Sequence, residues 1–219
     1  KKKTEILKEV YKLNDQGKRE LGLRYDLTIP FARLIGMNPN ITMPFKRYEI
    51  GKVYRDGPVK TGRNREFIQC DVDMVGVKSI MAEAEFMMMT VEIYKKLGLD
   101  VYISYNNRKL LSGIIKSVGI DMDIASKAIL CIDKLEKIGE IEVKSELLQL
   151  GIDSSKVDKL LKYMKMQPDE LTVILDARQK NELIEQGMKE LAELNSYIDS
   201  LGIRNMLKFT PNLVLSSLI

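Results

Sequence analysis

Three arginines and a run of polar side chains lie close together in the stretch Gly51-Lys-Val-Tyr-Arg-Asp-Gly-Pro-Val-Lys-Thr-Gly-Arg-Asn-Arg-Glu-Phe-Ile-Gln-Cys-Asp-Val-Asp73. Arg55, Arg63 and Arg65 bracket a loop that holds Gly57 and Gly62. A guanidinium offers several donors in a fixed plane and stays charged, so it suits phosphate oxygens. Gln69, Asp71 and Asp73 follow at every second position. An amide and carboxylates so placed suit a small cationic or hydrogen-bonding substrate. An anion site beside a polar pocket is what nucleotide-dependent activation of a small molecule requires.

Rigid elements must hold these groups. With a side-chain period of two, Phe67, Gln69, Asp71 and Asp73 share one face of a strand, and Ile68, Cys70, Val72 and Met74 share the other. The same alternation also describes a plain hairpin with one face in water. The paired strands are expected at Phe45–Tyr54 and Arg65–Val75. Upstream, the polar turn Asn14–Arg19 predicts a hairpin within Tyr11–Tyr25, and Thr28–Ile35 a short helix capped by Thr28, with Pro30 in its first turn. Downstream, a helix is expected over Ser79–Leu97, capped by serine and stopped by Gly98, then a strand at Val101–Ser104.

From Asn107 onward the pattern is almost wholly helical. Gly119, Gly151 and Gly202 mark helix ends, and Val143–Leu150, Ser154–Lys165 and Asn181–Leu201 carry three-four apolar spacing. Asp121 and Asp169 are expected caps. Met87, Met88 and Met89 are expected in a core, and Lys159, Lys162 and Lys165 on a solvated helix face.

Composition narrows the function classes. The 219 residues are 45% hydrophobic and 30% charged, as in a globular chain of one large or two smaller domains. No apolar run approaches the roughly 18 residues of a membrane-spanning helix, and no secretory leader is expected behind Lys1-Lys-Lys3, which points to the cytoplasm. There is no histidine, so histidine triads and His-containing metal sites are excluded; two cysteines cannot form a zinc tetrad, and no protein-bound metal is expected. Cys70 and Cys131 are expected as reduced, buried thiols. A net charge of +4 allows contact with RNA without demanding it.

Three segments together resemble the histidyl-tRNA synthetase family of class II aminoacyl-tRNA ligases: Leu23-Arg-Tyr-Asp-Leu-Thr-Ile-Pro-Phe-Ala-Arg33, Pro44-Phe-Lys-Arg-Tyr-Glu-Ile-Gly-Lys-Val-Tyr-Arg55 and Gly62-Arg-Asn-Arg-Glu-Phe-Ile-Gln-Cys-Asp-Val-Asp73. Thr4–Lys8 and Asn106–Leu111 also fit. The resemblance implies an α+β fold: part of the class II antiparallel sheet with flanking helices, followed by an all-helical insertion domain. It implies a partial catalytic core over residues 1–106, an insertion over 107–205 and a return segment over 206–219. It also implies that Asp26, Thr28 and Gln69 hold the amino group of histidine and that Asp73 reads its imidazole. Arg55 would meet the α-phosphate of ATP as the catalytic cation, Arg63 the distal phosphates, and Phe67 the adenine ring. Substrates and partners would be histidine, ATP with Mg²⁺, and tRNA(His), with no tightly bound cofactor and a homodimeric parent protein.

The family pattern is departed from at Gly57, where an acid commonly meets adenine, and at Asn64, often aromatic. Leu215 and Ser216 stand where the second histidine motif has arginine and glycine. The first and third class motifs and an anticodon-binding domain are expected outside this stretch, making it a central fragment without activity of its own. The alternative is a histidine-sensing paralogue such as the regulatory subunit of ATP phosphoribosyltransferase; retained arginines and the helical insertion favour the ligase.

Overall fold

The computed structural model describes residues 5–174 and 181–214. The expectations at Thr4, Leu215 and Ser216 lie outside the described residues. The chain divides into two compact units, Lys1–Lys78 and Ser79–Ile219.

The first unit contains α1 (Glu5–Lys8), β1 (Lys12–Asn14), β2 (Glu20–Gly22), α2 (Thr28–Met37), β3 (Phe45–Tyr54) and β4 (Glu66–Val75). Both hairpins are antiparallel. Asp15 closes the first turn by accepting from the Arg19 backbone N–H at 2.9 Å and its Nε at 2.6 Å. The long hairpin runs in one-for-one register, with Tyr54 opposite Glu66, Gly51 opposite Gln69 and Arg47 opposite Asp73. Thr28 opens α2 but does not cap it. The acceptor is Asp26, whose Oδ1 takes the Ile29 N–H at 2.9 Å, because a short carboxylate two residues ahead of the helix reaches an otherwise unpaired donor.

Which face of the long hairpin is covered is the decisive feature of this unit. Leu27, with no exposed surface, lies over the polar face; a Cβ built on Gly51 would stand 3.4 Å from its Cδ2. The apolar face is bare: Ile50 is 65% exposed and Ile68 63%. Cys70 is therefore exposed, contrary to the expectation of two buried thiols, because β4 turns its polar residues toward the covering segment.

The second unit contains α3 (Met81–Lys96), β5 (Ile103–Tyr105), α4 (Arg108–Ser117), α5 (Met122–Ile132), α6 (Leu135–Ile138), α7 (Glu140–Gln149), α8 (Ser154–Tyr163), α9 (Pro168–Ile174), α10 (Glu182–Ser200) and β6 (Leu207–Phe209). β5 and β6 pair in parallel, so the chain that leaves into the helices after Tyr105 returns beside its point of departure. Sequence patterning did not anticipate β6, a three-residue strand specified by a partner about a hundred residues away.

Most helix punctuation follows local rules. Asn107, Asp121, Asp153 and Asn181 accept from backbone N–H groups at the starts of α4, α5, α8 and α10. Gly98, Gly119, Gly151 and Gly202 adopt positive φ just past helix ends. Asp169 is not a cap but lies in the first turn of α9, where Glu170 accepts from the Gln167 N–H at 2.7 Å. Met87 packs on the core while Met88 is 39% exposed. Lys159, Lys162 and Lys165 are exposed, and Lys165 pairs with Glu140.

The core of this unit joins Leu110, Ile114 and Ile115 of α4 to Leu147 of α7, Leu160 of α8, and Ile184, Leu191 and Ile198 of α10, all nearly inaccessible. Each such aliphatic side chain contributes about 1.5–3 kcal/mol on burial. Cys131 is 8% exposed, and burial, aided by a hydrogen bond to Glu146, pushes its thiol above the ordinary range. Only the thiolate attacks alkylating reagents. In the 219-residue chain, iodoacetamide is expected to modify Cys70 at least about tenfold faster than Cys131. Peptide mass spectrometry over time measures both rates, and equal rates would contradict this arrangement.

Among the described residues no helix is long and apolar enough to cross a membrane.

Candidate functional site

The site is built on the covered face of the β3–β4 hairpin by the three-residue segment Tyr25-Asp26-Leu27. This segment is anchored to the sheet where the Tyr54 N–H donates to the Arg24 carbonyl at 2.8 Å. The two carbonyls flanking Asp26 are each taken by an arginine. Arg55 Nε donates to the Tyr25 carbonyl at 3.4 Å, and Arg47 donates through a terminal nitrogen to the Leu27 carbonyl at 2.8 Å. Asp26 is thereby held between two guanidinium groups, one from near the start of β3 and one from the residue just past its end.

At the loop end, the Arg55 guanidinium lies 4.5 Å from the Tyr25 ring centroid and 5.1 Å from that of Phe67. Burial raises the Tyr25 hydroxyl above its usual range, opposed by the neighbouring Arg55 charge. Arg55, Gly57, Pro58, Gly62, Arg63, Asn64 and Phe67 line a cleft of about 250 Å³. The Arg63 backbone closes a turn with Lys60, its N–H donating at 2.8 Å, while its guanidinium makes no hydrogen bond or ion pair among the described residues. Arg65 is spent on the loop itself, donating to the Gly57 carbonyl at 3.2 Å. A cleft with two arginines and an aromatic wall can take an anion joined to a flat ring.

At the other end, Asp73, Asp71, Asp26 and Glu49 gather around Arg47. Arg47 donates through Nε to Asp73 Oδ2 at 2.9 Å and pairs with Glu49. Arg24 approaches Glu49 at 3.7 Å. Burial raises the Asp71 carboxyl, and the charges of Asp73, Asp26 and Glu49 push the same way against Arg47. Between the two ends lies Gln69. Its Oε1 is buried and has no hydrogen-bond partner among the described residues. A buried carbonyl oxygen in that position costs about 1–3 kcal/mol unless a donor reaches it.

Of the residues singled out from sequence, Arg55, Arg63 and Phe67 share the cleft, and Gln69 and Asp73 follow Phe67 along the same face of β4. Asp26 joins them through its neighbours' carbonyls. Thr28 stands apart, exposed in the first turn of α2. Sequence reasoning passed over Tyr25, Arg47 and Glu49, and gave Asp71 no role. Arg47 was within reach: counting outward from the Arg55–Arg65 backbone hydrogen bond of 2.9 Å puts it opposite Asp73.

An antiparallel hairpin with an arginine-bearing loop, its polar face under a helix-opening segment, in a chain that continues into helices, is a class II aminoacyl-tRNA synthetase fold. The family profile described as histidyl-tRNA synthetase matches residues 1–216. The chain belongs to the histidyl-tRNA synthetase family. It is 53% identical over 213 residues to histidine–tRNA ligase 1 of Bacillus cereus (strain ATCC 14579), covering 94% of this chain and 49% of that protein. The histidine–tRNA ligase of Clostridium tetani is 36% identical, with 91% and 46% covered. The crystal structure of histidyl-tRNA synthetase from Nostoc sp. PCC 7120 superposes with a TM-score of 0.84 at 28% identity, over 97% of this chain and 52% of that one. A Bacillus halodurans structure described as an ATP phosphoribosyltransferase regulatory subunit/histidyl-tRNA synthetase shares the fold, with a TM-score of 0.78 at 21% identity over 94% of this chain and 54% of that one. The chain spans about half the length of the curated relatives it matches.

Proposed function

We propose that this chain supplies the histidine- and ATP-contacting face of a histidine–tRNA ligase. In the proposed reaction the carboxylate of histidine attacks the α-phosphorus of ATP, forming an acyl–phosphate bond while pyrophosphate leaves. The acyl group then passes to the terminal ribose of tRNA(His), releasing AMP. Arg55 compensates charge at the α-phosphate, Arg63 meets the distal phosphates with Mg²⁺ carried in by the nucleotide, and Phe67 supports the adenine. Asp26 and Gln69 receive the substrate ammonium, and Thr28, which stands apart from them at the start of α2, is assigned to the same group. Asp73 pairs with the imidazole. Residues 1–106 form the partial catalytic core, 107–205 a helical insertion toward the tRNA, and 206–219 the return. We place the parent protein in the cytoplasm as a homodimer.

The single observation that carries this reading is the buried Oε1 of Gln69, without a partner among the described residues and set between the arginine cleft and the carboxylates. An acceptor in that position is matched by an ammonium donor arriving with its carboxylate toward Arg55. Gln69→Leu removes the acceptor while keeping the side chain's bulk. It is expected to raise the histidine KM about 10–100-fold in ATP–pyrophosphate exchange by the intact polypeptide that carries this chain. An unchanged histidine KM would refute the assignment.

The alternative sensor reading requires no nucleotide at the Arg55–Arg63 cleft, so measurable exchange activity of the unaltered polypeptide would decide against it; the likeness to the Bacillus halodurans structure bears on fold alone.

A further inference from the structure

Arg47 is the most heavily engaged side chain of the first unit, and nothing above gives it a part in the reaction. It is the third residue of β3, with 14% of its side chain exposed. Its guanidinium stacks 4.0 Å from the centroid of the Phe31 ring, which itself stacks on Phe45 at 6.1 Å. Stacking blocks one face of the guanidinium plane and leaves the donors at its edge. Nε and a terminal nitrogen both meet Asp73 Oδ2, at 2.9 and 2.8 Å. The second terminal nitrogen pairs with Glu49, and the first also donates to the Leu27 carbonyl at 2.8 Å.

Two consequences follow from that geometry. Both contacts to Asp73 fall on Oδ2, so that oxygen is anchored, and Oδ1 is the oxygen left to accept from a ligand. The same guanidinium holds the Leu27 carbonyl, so the position of Asp73 is coupled to the segment that carries Asp26. A lysine offers a point charge on a flexible stem and cannot span Asp73, Glu49 and a carbonyl in one plane.

Resting on the ligase reading, we propose that Arg47 is the positioning residue for histidine recognition: it anchors Asp73 Oδ2 and ties the imidazole-reading carboxylate to the segment that carries the ammonium-reading one. It touches no substrate. It acts through Asp73 and through the backbone beside Asp26. A ligand whose ring and amino group are a fixed distance apart requires that spacing, because a displacement of about 1 Å in a reacting complex costs on the order of 100-fold.

The test is a double-mutant cycle in the intact polypeptide, read as histidine KM, ATP KM and kcat in ATP–pyrophosphate exchange. Asp73→Asn and Arg47→Met are each expected to raise the histidine KM about 10–100-fold and leave the ATP KM within about twofold. The double variant is expected to fall well short of the product of the two single effects, because the part of Arg47 that acts through Asp73 is already lost in Asp73→Asn. Arg47→Lys keeps a charge against the same carboxylates and provides the reading should Arg47→Met fail to fold; it is expected to raise the histidine KM at least about tenfold, with the same non-additivity. Full multiplication of the two effects would overturn the proposal and leave Arg47 a packing residue. An ATP KM that rises in parallel with the histidine KM would do the same. If Asp73→Asn itself has no effect on the histidine KM, the placement of histidine fails, a result distinct from failure of Arg47.

Discussion

Arg55→Ala in the intact polypeptide is expected to lower ATP–pyrophosphate exchange about 10²–10³-fold while the protein stays folded. Removal of one fixed donor aimed at charge that develops in the transition state typically costs that much in rate. Arg55 is poised for such a role by its surroundings. Its guanidinium is flanked by the Tyr25 and Phe67 rings and tied to the Tyr25 carbonyl, and it opens onto the cleft shared with Arg63. A group held this way needs little reorganisation when a phosphorus centre becomes more negative. The structural loss on truncation is smaller. A cation–aromatic contact contributes about 0.5–2 kcal/mol, so the melting temperature is expected to fall by a few degrees. Arg55→Lys, keeping the charge without the planar fork, is expected to fall between the two. Undiminished exchange in the alanine variant, with the fold verified by circular dichroism, would remove Arg55 from the reaction.

Gly187→Ala is expected to destabilise the helical unit by about 1–3 kcal/mol, although alanine is the better helix former by about 1 kcal/mol. α4 and α10 cross so closely that each has a glycine at the backbone of the other. A Cβ at Gly187 would stand 2.6 Å from the Leu110 nitrogen and 2.9 Å from its Cα; a Cβ at Gly113 would stand 2.8 Å from the Ile184 nitrogen. Backbone cannot rotate aside as a side chain can, so the helices must separate and lose packing around Leu110, Ile114 and Ile184. The Asn181 amide, which donates to the Gly113 carbonyl at 2.9 Å, would be strained as well. Gly36→Ala in α2 is the control: its Cβ meets nothing within 4 Å, and a gain of up to about 1 kcal/mol is expected. Urea unfolding of the two variants measures the contrast. A Gly187→Ala protein as stable as its parent would mean that the helices do not meet backbone to backbone.

Features carried by short-range chemistry were legible in the sequence. The long hairpin was read to within a residue, because alternation of Ile68, Cys70 and Val72 with Gln69, Asp71 and Asp73 needs only the period of a strand. The Asp121 cap and the positive-φ glycines after helices answer to hydrogen bonds within a turn of themselves. The cap expected at Thr28 falls instead to Asp26, which takes the Ile29 N–H; two residues after Thr28 stands Pro30, which has no N–H to offer a threonine cap. The arginine loop itself was also visible, since Arg55, Arg63 and Arg65 fall close together in the chain between two strands.

By itself the sequence determined the family, the alternating β4 strand with its two chemically distinct faces, the arginines beside it and the order of helices and turns. Only tertiary structure decided which face of the β3–β4 hairpin is covered, that Arg47 and Arg55 grip the carbonyls on either side of Asp26, that Gln69 Oε1 is buried without a partner among the described residues, and that β6 closes on β5. The reason is the range of the interactions. Period and caps act over a few residues and are written there, whereas burial of a face or capture of a carbonyl depends on a segment distant in the chain. Whether that segment arrives is set by the summed burial of groups such as Leu27 and Phe31, which no local window contains.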